Sequence, residues 1–166
     1  AAHERLSMVR SPISSMPQDI PLVGTGWELS SETGTRLPAR VPNDISDDLE
    51  QAGLLPPLFY GTNSMFGGNW TLNRTWTLSR NISLPRVRAG ASGVLRFEGV
   101  DYNASIRING KLVATHVGAF EPFEVVLSSH DLRVQTLSLA VTLHPPPPSV
   151  TWPLHATASP PGWGAE

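Results

Sequence analysis

The carboxylates of this 166-residue sequence are the first place to look for chemistry. Hydrolysis of a glycosidic bond needs two of them facing each other across about 5–9.5 Å. Glu98, Asp101, Glu121 and Glu124 lie close enough in sequence to be considered. Glu98 and Asp101, however, flank a Gly-Val pair, and Glu121 and Glu124 flank Pro122-Phe123. Those are the surroundings of turns and strand ends, so no catalytic residue is assigned. A second acidic group, Asp44, Asp47, Asp48 and Glu50, lacks the alternating ligand positions and central glycine of a calcium loop. It describes a solvated helix start. The five histidines (His3, His116, His130, His144 and His155) stand at no metal-ligand spacing. No cysteine is present to supply a thiolate ligand or nucleophile. Nucleophile-elbow, phosphate-loop and dinucleotide patterns do not occur. The sequence therefore assigns no metal and no cofactor.

Aromatic side chains offer a different chemistry. Tyr60, Phe66, Trp152 and Trp163 fall in stretches without periodicity. An exposed ring in such a loop can stack on the apolar face of a sugar, or it can plug an edge of the fold. Trp70 and Trp76 alternate with polar residues, which suits a core face. Four N-glycosylation acceptor sequences begin at Asn69, Asn73, Asn81 and Asn103. Three of them fall within the fifteen residues from Asn69 to Ser83. This density favours a secreted, extracellular or lumenal protein, although the first twenty residues contain no apolar core of signal-peptide type.

Composition narrows the partners. Charged residues make up 16% of the chain, and twelve basic against fourteen acidic residues leave a net charge of −2. Basic residues are interspersed and form no stripe, which argues against nucleic acid and anionic membrane surfaces. No apolar run approaches the roughly 20 residues of a membrane-spanning helix. The length suits one domain, able to bury roughly two-thirds of the surface its unfolded chain exposes.

The elements that must position these groups are mostly strands. Residues 1–20 are polar, contain Pro12 and Pro17, and read as a tail or as a ribbon along the body. Trp27-Glu-Leu29 predicts a first strand. Asn43 is placed to cap a helix, with Ile45, Leu49 and Ala52 as its apolar stripe and Gly53 as its terminator. Residues 69–79 predict a strand with Trp70, Leu72, Trp76 and Leu78 facing inward. Asn73 would then point to solvent, with Asn69 at the strand's start and Asn81 past its end. Ala104, Ile106 and Ile108 predict the inward row of a hairpin that turns at Asn109-Gly110, the preferred two-residue type I′ pair. Phe123, Val125 and Leu127 form another inward row, and Leu137, Leu139, Val141 and Leu143 a last one. Many short strands and one short helix predict an all-β jelly-roll sandwich over 21–146. Residues 147–166 read as a Pro-rich tail or linker.

Three pieces taken in order carry a resemblance. They are VPNDISDDLEQAGLLPPLFYGTN from Val41 to Asn63, FEGVDYNASIRING from Phe97 to Gly110 with HVGAFEPFE from His116 to Glu124, and LAVTLHPP from Leu139 to Pro146. Together they resemble the N-terminal, galactose-binding-like sandwich domain of family 2 glycoside hydrolases. The similarity is greatest to the β-mannosidase, endo-β-mannosidase and exo-β-glucosaminidase branches, and it spans about Trp27 to Pro146.

The resemblance implies that the chemistry resides elsewhere. In that family the two catalytic glutamates lie on a (β/α)8 barrel of about 250 residues, for which this chain has no room. The sandwich domain shapes the rim of the substrate site. A Tyr-x-x-Asn loop matching Tyr60-Gly-Thr-Asn63 carries its Asn towards the sugar, which makes Asn63 a carbohydrate-facing candidate beside Tyr60. The family's Gly-Trp-Asp-Trp element has Gly162-Trp163-Gly164-Ala165 as its nearest text here, so Trp163 is a third candidate, without the neighbouring Asp. The expected role is a non-catalytic domain whose partners are the remaining glycosidase domains. The alternative is a stand-alone extracellular jelly-roll module that binds carbohydrate or another extracellular protein.

Overall fold

The computed structural model describes residues 4–7, 19–63, 69–86 and 90–145. Among them, two antiparallel sheets enclose one apolar core. The strands are β1 (Glu4–Ser7), β2 (Asp19–Pro21), β3 (Gly24–Ser31), β4 (Arg36–Val41), β5 (Trp76–Ser83), β6 (Gly93–Phe97), β7 (Asn103–Ile108), β8 (Lys111–Val117), β9 (Phe123–Leu127) and β10 (Thr136–His144). One sheet has the order β2-β1-β6-β9, and the other β4-β3-β5-β10-β7-β8. The fold is the all-β sandwich that the strand pattern predicts. The helix foreseen after Asn43 is α1 (Ile45–Gln51).

Alternation decides which side chains meet between the sheets. Ala104, Ile106 and Ile108 of β7 are buried, as are Leu137, Leu139 and Val141 of β10 beside them. Leu95 and Phe97 of β6 and Val125 and Leu127 of β9 face them from the smaller sheet. Asn109 and Gly110 join β7 to β8 with positive φ at both positions, 50° and 81°, the backbone that a type I′ turn requires.

Several expectations change. The strand foreseen over 69–79 begins only at Trp76, and Asn69–Leu72 is one turn of helix, α2. Strand pairing explains the boundary: Trp76 is the first β5 residue with partners, Leu143 of β10 and Ser31 of β3. Before it, the Trp76 indole N–H donates back to the Thr71 carbonyl at 2.9 Å, which holds the helical turn against the strand. Asn73 accordingly sits exposed in a turn, and Asn81 lies inside β5, not past its end. Residues 36–41 escape the sequence reading because Pro38 interrupts them. Leu37, Ala39 and Val41 nevertheless alternate inward. β4 is an edge strand, where a residue without an N–H breaks no ladder. Of the two readings of residues 1–20, Glu4–Ser7 follows the ribbon, pairing with β6 on one side and β2 on the other.

Candidate functional site

The candidate site is the loop that leaves α1. The cap of this helix is Asp44, not Asn43: the Asp44 carboxylate accepts from the Ser46 N–H at 2.7 Å. Asn43 is committed elsewhere, donating from Nδ2 to Asp48 Oδ1 at 2.7 Å. The reading of a wholly solvated acidic helix start is corrected with it, because Asp48 is 6% exposed. Glu50 holds the other side, its Oε1 accepting from the Leu58 N–H. The two acids thus bracket the helix, Asp48 gripping the chain before it and Glu50 the chain after it. Gly53 ends the helix at φ 72°, and the Leu54 N–H donates to the Leu49 carbonyl at 2.9 Å. This left-handed glycine stop turns the chain out of the helix.

Leu55 is buried and Leu58 packs on the core, so the loop is fixed at both positions. Between and beyond them the chain rises into solvent. Tyr60 is 78% exposed, and Phe59, which the sequence reading does not single out, is fully exposed. The signal is present in the apolar run Leu-Phe-Tyr, but nothing in the sequence tells that Leu58 packs inward and both rings face out. Asn63 closes the loop, donating from Nδ2 to the Pro57 carbonyl at 2.9 Å and from its backbone N–H to the Tyr60 carbonyl at 3.2 Å. Tyr60 and Asn63 are therefore brought together on one anchored turn. Trp163, the third candidate, and the loop rings Phe66 and Trp152 lie outside the described residues.

Burial pushes the Asp48 carboxyl above its ordinary range, opposed by the hydrogen bond from Asn43. A carboxyl with a higher pKa folded than unfolded contributes stability at low pH and loses it as pH rises through the folded value. Asp48→Asn keeps an acceptor for Asn43 and removes the ionisation. Relative to the parent, the urea midpoint of this variant is expected to be unchanged at about pH 3 and higher at about pH 7. An equal midpoint difference at both pH values would show that Asp48 does not titrate with folding.

The remaining carboxylates are paired or dispersed. Arg96 donates to Glu98 at 2.8 Å and to Glu124 at 3.4 Å on the exposed side of β6 and β9. Among the described residues, no group of three His, Cys, Asp or Glu side chains gathers to hold a metal ion. A shallow depression of about 610 Å³ opens on the outer face of the larger sheet, lined in part by Glu28, Arg36, Pro38, Asn81 and Ser138. Asn81 is exposed within it, and the Glu28–Arg36 pair at 2.9 Å crosses it. Asn103 is half-buried at the start of β7, directly opposite Val117. No helix among the described residues is long and apolar enough to cross a membrane.

Residues 27–155 match the family described as glycosyl hydrolase 2 galactose-binding domain-like. Beta-mannosidase B of Aspergillus niger is 28% identical over 109 residues, which cover 62% of this chain and 13% of that protein. Beta-mannosidase B of Thermothelomyces thermophilus is 30% identical over 104 residues, covering 63% of this chain and 12% of that protein. Among solved structures, the β-D-mannosidase of Dictyoglomus thermophilum superposes with a TM-score of 0.66 at 27% identity, over 75% of this chain and 15% of that one. The β-glucuronidase of Faecalibacterium prausnitzii shares the fold with a TM-score of 0.56 at 24% identity, over 82% of this chain and 22% of that one. The matched region spans about an eighth of the length of the curated relatives.

Proposed function

The chain belongs to the glycosyl hydrolase 2 galactose-binding domain-like family, and from that premise we propose that it is a non-catalytic sandwich domain of a secreted, β-mannosidase-like glycosidase. Its work is architectural, and the Tyr60–Asn63 turn adds to the rim of the substrate site. One observation carries this reading: the family match runs over residues 27–155, yet the alignments to two β-mannosidases take up only 12–13% of their length. The anchored loop supports the rim role, because Tyr60 is held out to solvent by a turn fixed at Leu55, Leu58 and Asn63. Secretion is supported by the acceptor sequences, of which Asn73 and Asn81 are exposed.

The complete product of the native gene provides the test. It is expected to hydrolyse an aryl β-mannoside, to carry N-glycan on Asn73 or Asn81 when isolated from its source, and to lose substrate affinity on Tyr60→Ala. Losing one aromatic stacking contact, about 0.5–1.5 kcal/mol, raises KM roughly 2- to 12-fold. A reading frame that ends near Glu166, with a product that binds mannosides or a protein without hydrolysing anything, would replace this reading with a stand-alone extracellular module.

A further inference from the structure

We propose that the end of the larger sheet where β8 runs into residues 118–122 is the docking surface for the next domain of a longer polypeptide, with Phe120 as its anchor. The proposal rests on the reading of this chain as one domain of a longer glycosidase. Phe120 is 92% exposed and Val117 61% exposed, yet the loop that carries them is braced. The Gly118 N–H donates to the Tyr102 carbonyl at 2.8 Å. The His116 ring stacks on Phe123 with centroids 4.1 Å apart, and Phe123 stacks on the buried Phe97 at 4.6 Å. An apolar ring presented on a braced loop has little left to lose on binding, which is the usual character of an interface anchor.

The position of the chain's departure names the occupant. β10 ends at His144, which pairs with Asn103, and Asn103 pairs with Val117. Two strand spacings, about 10 Å, therefore separate the exit of the chain from the apolar patch. The match takes up only about an eighth of the relatives' length. On the reading of this chain as one domain of such a protein, a polypeptide continuing after β10 starts out two strand spacings from Val117. The opposite edge of the sheet makes a poor docking surface, because β4 carries Pro38, Arg36 and Arg40, features that keep an edge unpaired. β8 has no proline, no arginine and no acidic residue, and Lys111 is its one lysine. Exposed Glu121 and Asp101 flank the loop, so the complementary surface is an apolar pocket with a cationic rim.

Two measurements on the complete protein test this. Radical labelling of the unsubstituted protein is expected to find the Phe120 ring protected, although this domain alone leaves it open. In Phe120→Asp the domain should detach: thermal unfolding separates into two transitions, and proteolysis after Pro145 quickens roughly tenfold or more. Phe120→Leu should retain most of the coupling. If the complete enzyme hydrolyses β-mannosides but labels freely at Phe120, the docking proposal fails while the glycosidase reading stands. A gene that encodes no further domain overturns both, whatever the Phe120 variants do.

Discussion

Ile106→Asp is expected to abolish the folded state of this domain. Ile106 has no exposed surface and lies between Val141 of β10 and Ala114 of β8. The substitution forfeits roughly 1.5–3 kcal/mol of apolar burial. It also places a carboxyl where no water reaches, which adds about 2–7 kcal/mol even for a neutral polar group left without a partner. Together these are roughly 3.5–10 kcal/mol, most or all of the stability of a domain held by about 5–15 kcal/mol, and an ionised carboxylate would cost more still. Far- and near-ultraviolet circular dichroism should show no cooperative melt. Two companions give the result its meaning. Ile106→Val, which removes one methylene, is expected to lose only about 0.5–1.5 kcal/mol. Arg107→Asp, one residue along on the exposed face, removes only an exposed hydrogen bond to the Gly110 carbonyl at 3.2 Å and should cost about 1.5 kcal/mol or less. A larger loss at 107 than at 106 would mean that the faces of β7 are assigned the wrong way round.

Phe97→Ala is expected to leave the domain folded but weakened by about 3–5 kcal/mol. For a chain of this size that is a fall in Tm of roughly 6–20 °C. Phe97 is completely buried and supports Phe123, which in turn supports His116. This stack joins the smaller sheet, through β6 and β9, to the edge strand β8 of the larger one. The damage should therefore be uneven. Exchange of the Gly118 amide, bonded to Tyr102, should quicken more than exchange of the Asn109 amide, bonded to the Ser138 carbonyl at the opposite end of β7. A melt within about 2 °C of the parent would remove the stack from the features that hold the sheets together.

Most of the fold is legible in the sequence because period-2 alternation reports directly on a two-sheet core. The rows at 104–108, 123–127 and 137–143 all emerge as strands with the expected faces. The failures have specific causes. Trp70 and Leu72 continue the alternation of Trp76 and Leu78, but a strand needs partners, and neither β3 nor β10 extends to pair with them. Pro38 hides β4, since the sequence does not disclose that the strand will lie at an edge. Asn43 and Asp44 are equally good caps by type. The choice falls to Asp44 because Asn43 is drawn to the buried Asp48, a contact five residues distant that no local rule contains.

The candidate site is less legible. Residues alone mark Tyr60 only as a loop aromatic, and the family resemblance supplies Asn63. The structure adds why the two belong together: both lie on a turn tied to α1 through Glu50 and closed by Asn63 on Pro57. It also adds Phe59 and Phe120, whose exposure no pattern predicts, because an exposed aromatic and a buried one are written with the same letter.

The pairing of Asn103 with Val117 has a consequence for the cell. Directly opposed residues project from the same face of a sheet, with Cβ atoms about 4.5–5.5 Å apart. An oligosaccharide on Asn103 and a protein surface against Val117 would claim the same space. A glycan at this one position would therefore oppose the docking proposed for that face. On the docking proposed above, Asn103 is expected to be bare in the assembled protein, whatever Asn73 and Asn81 carry, and site-by-site glycopeptide mapping checks this.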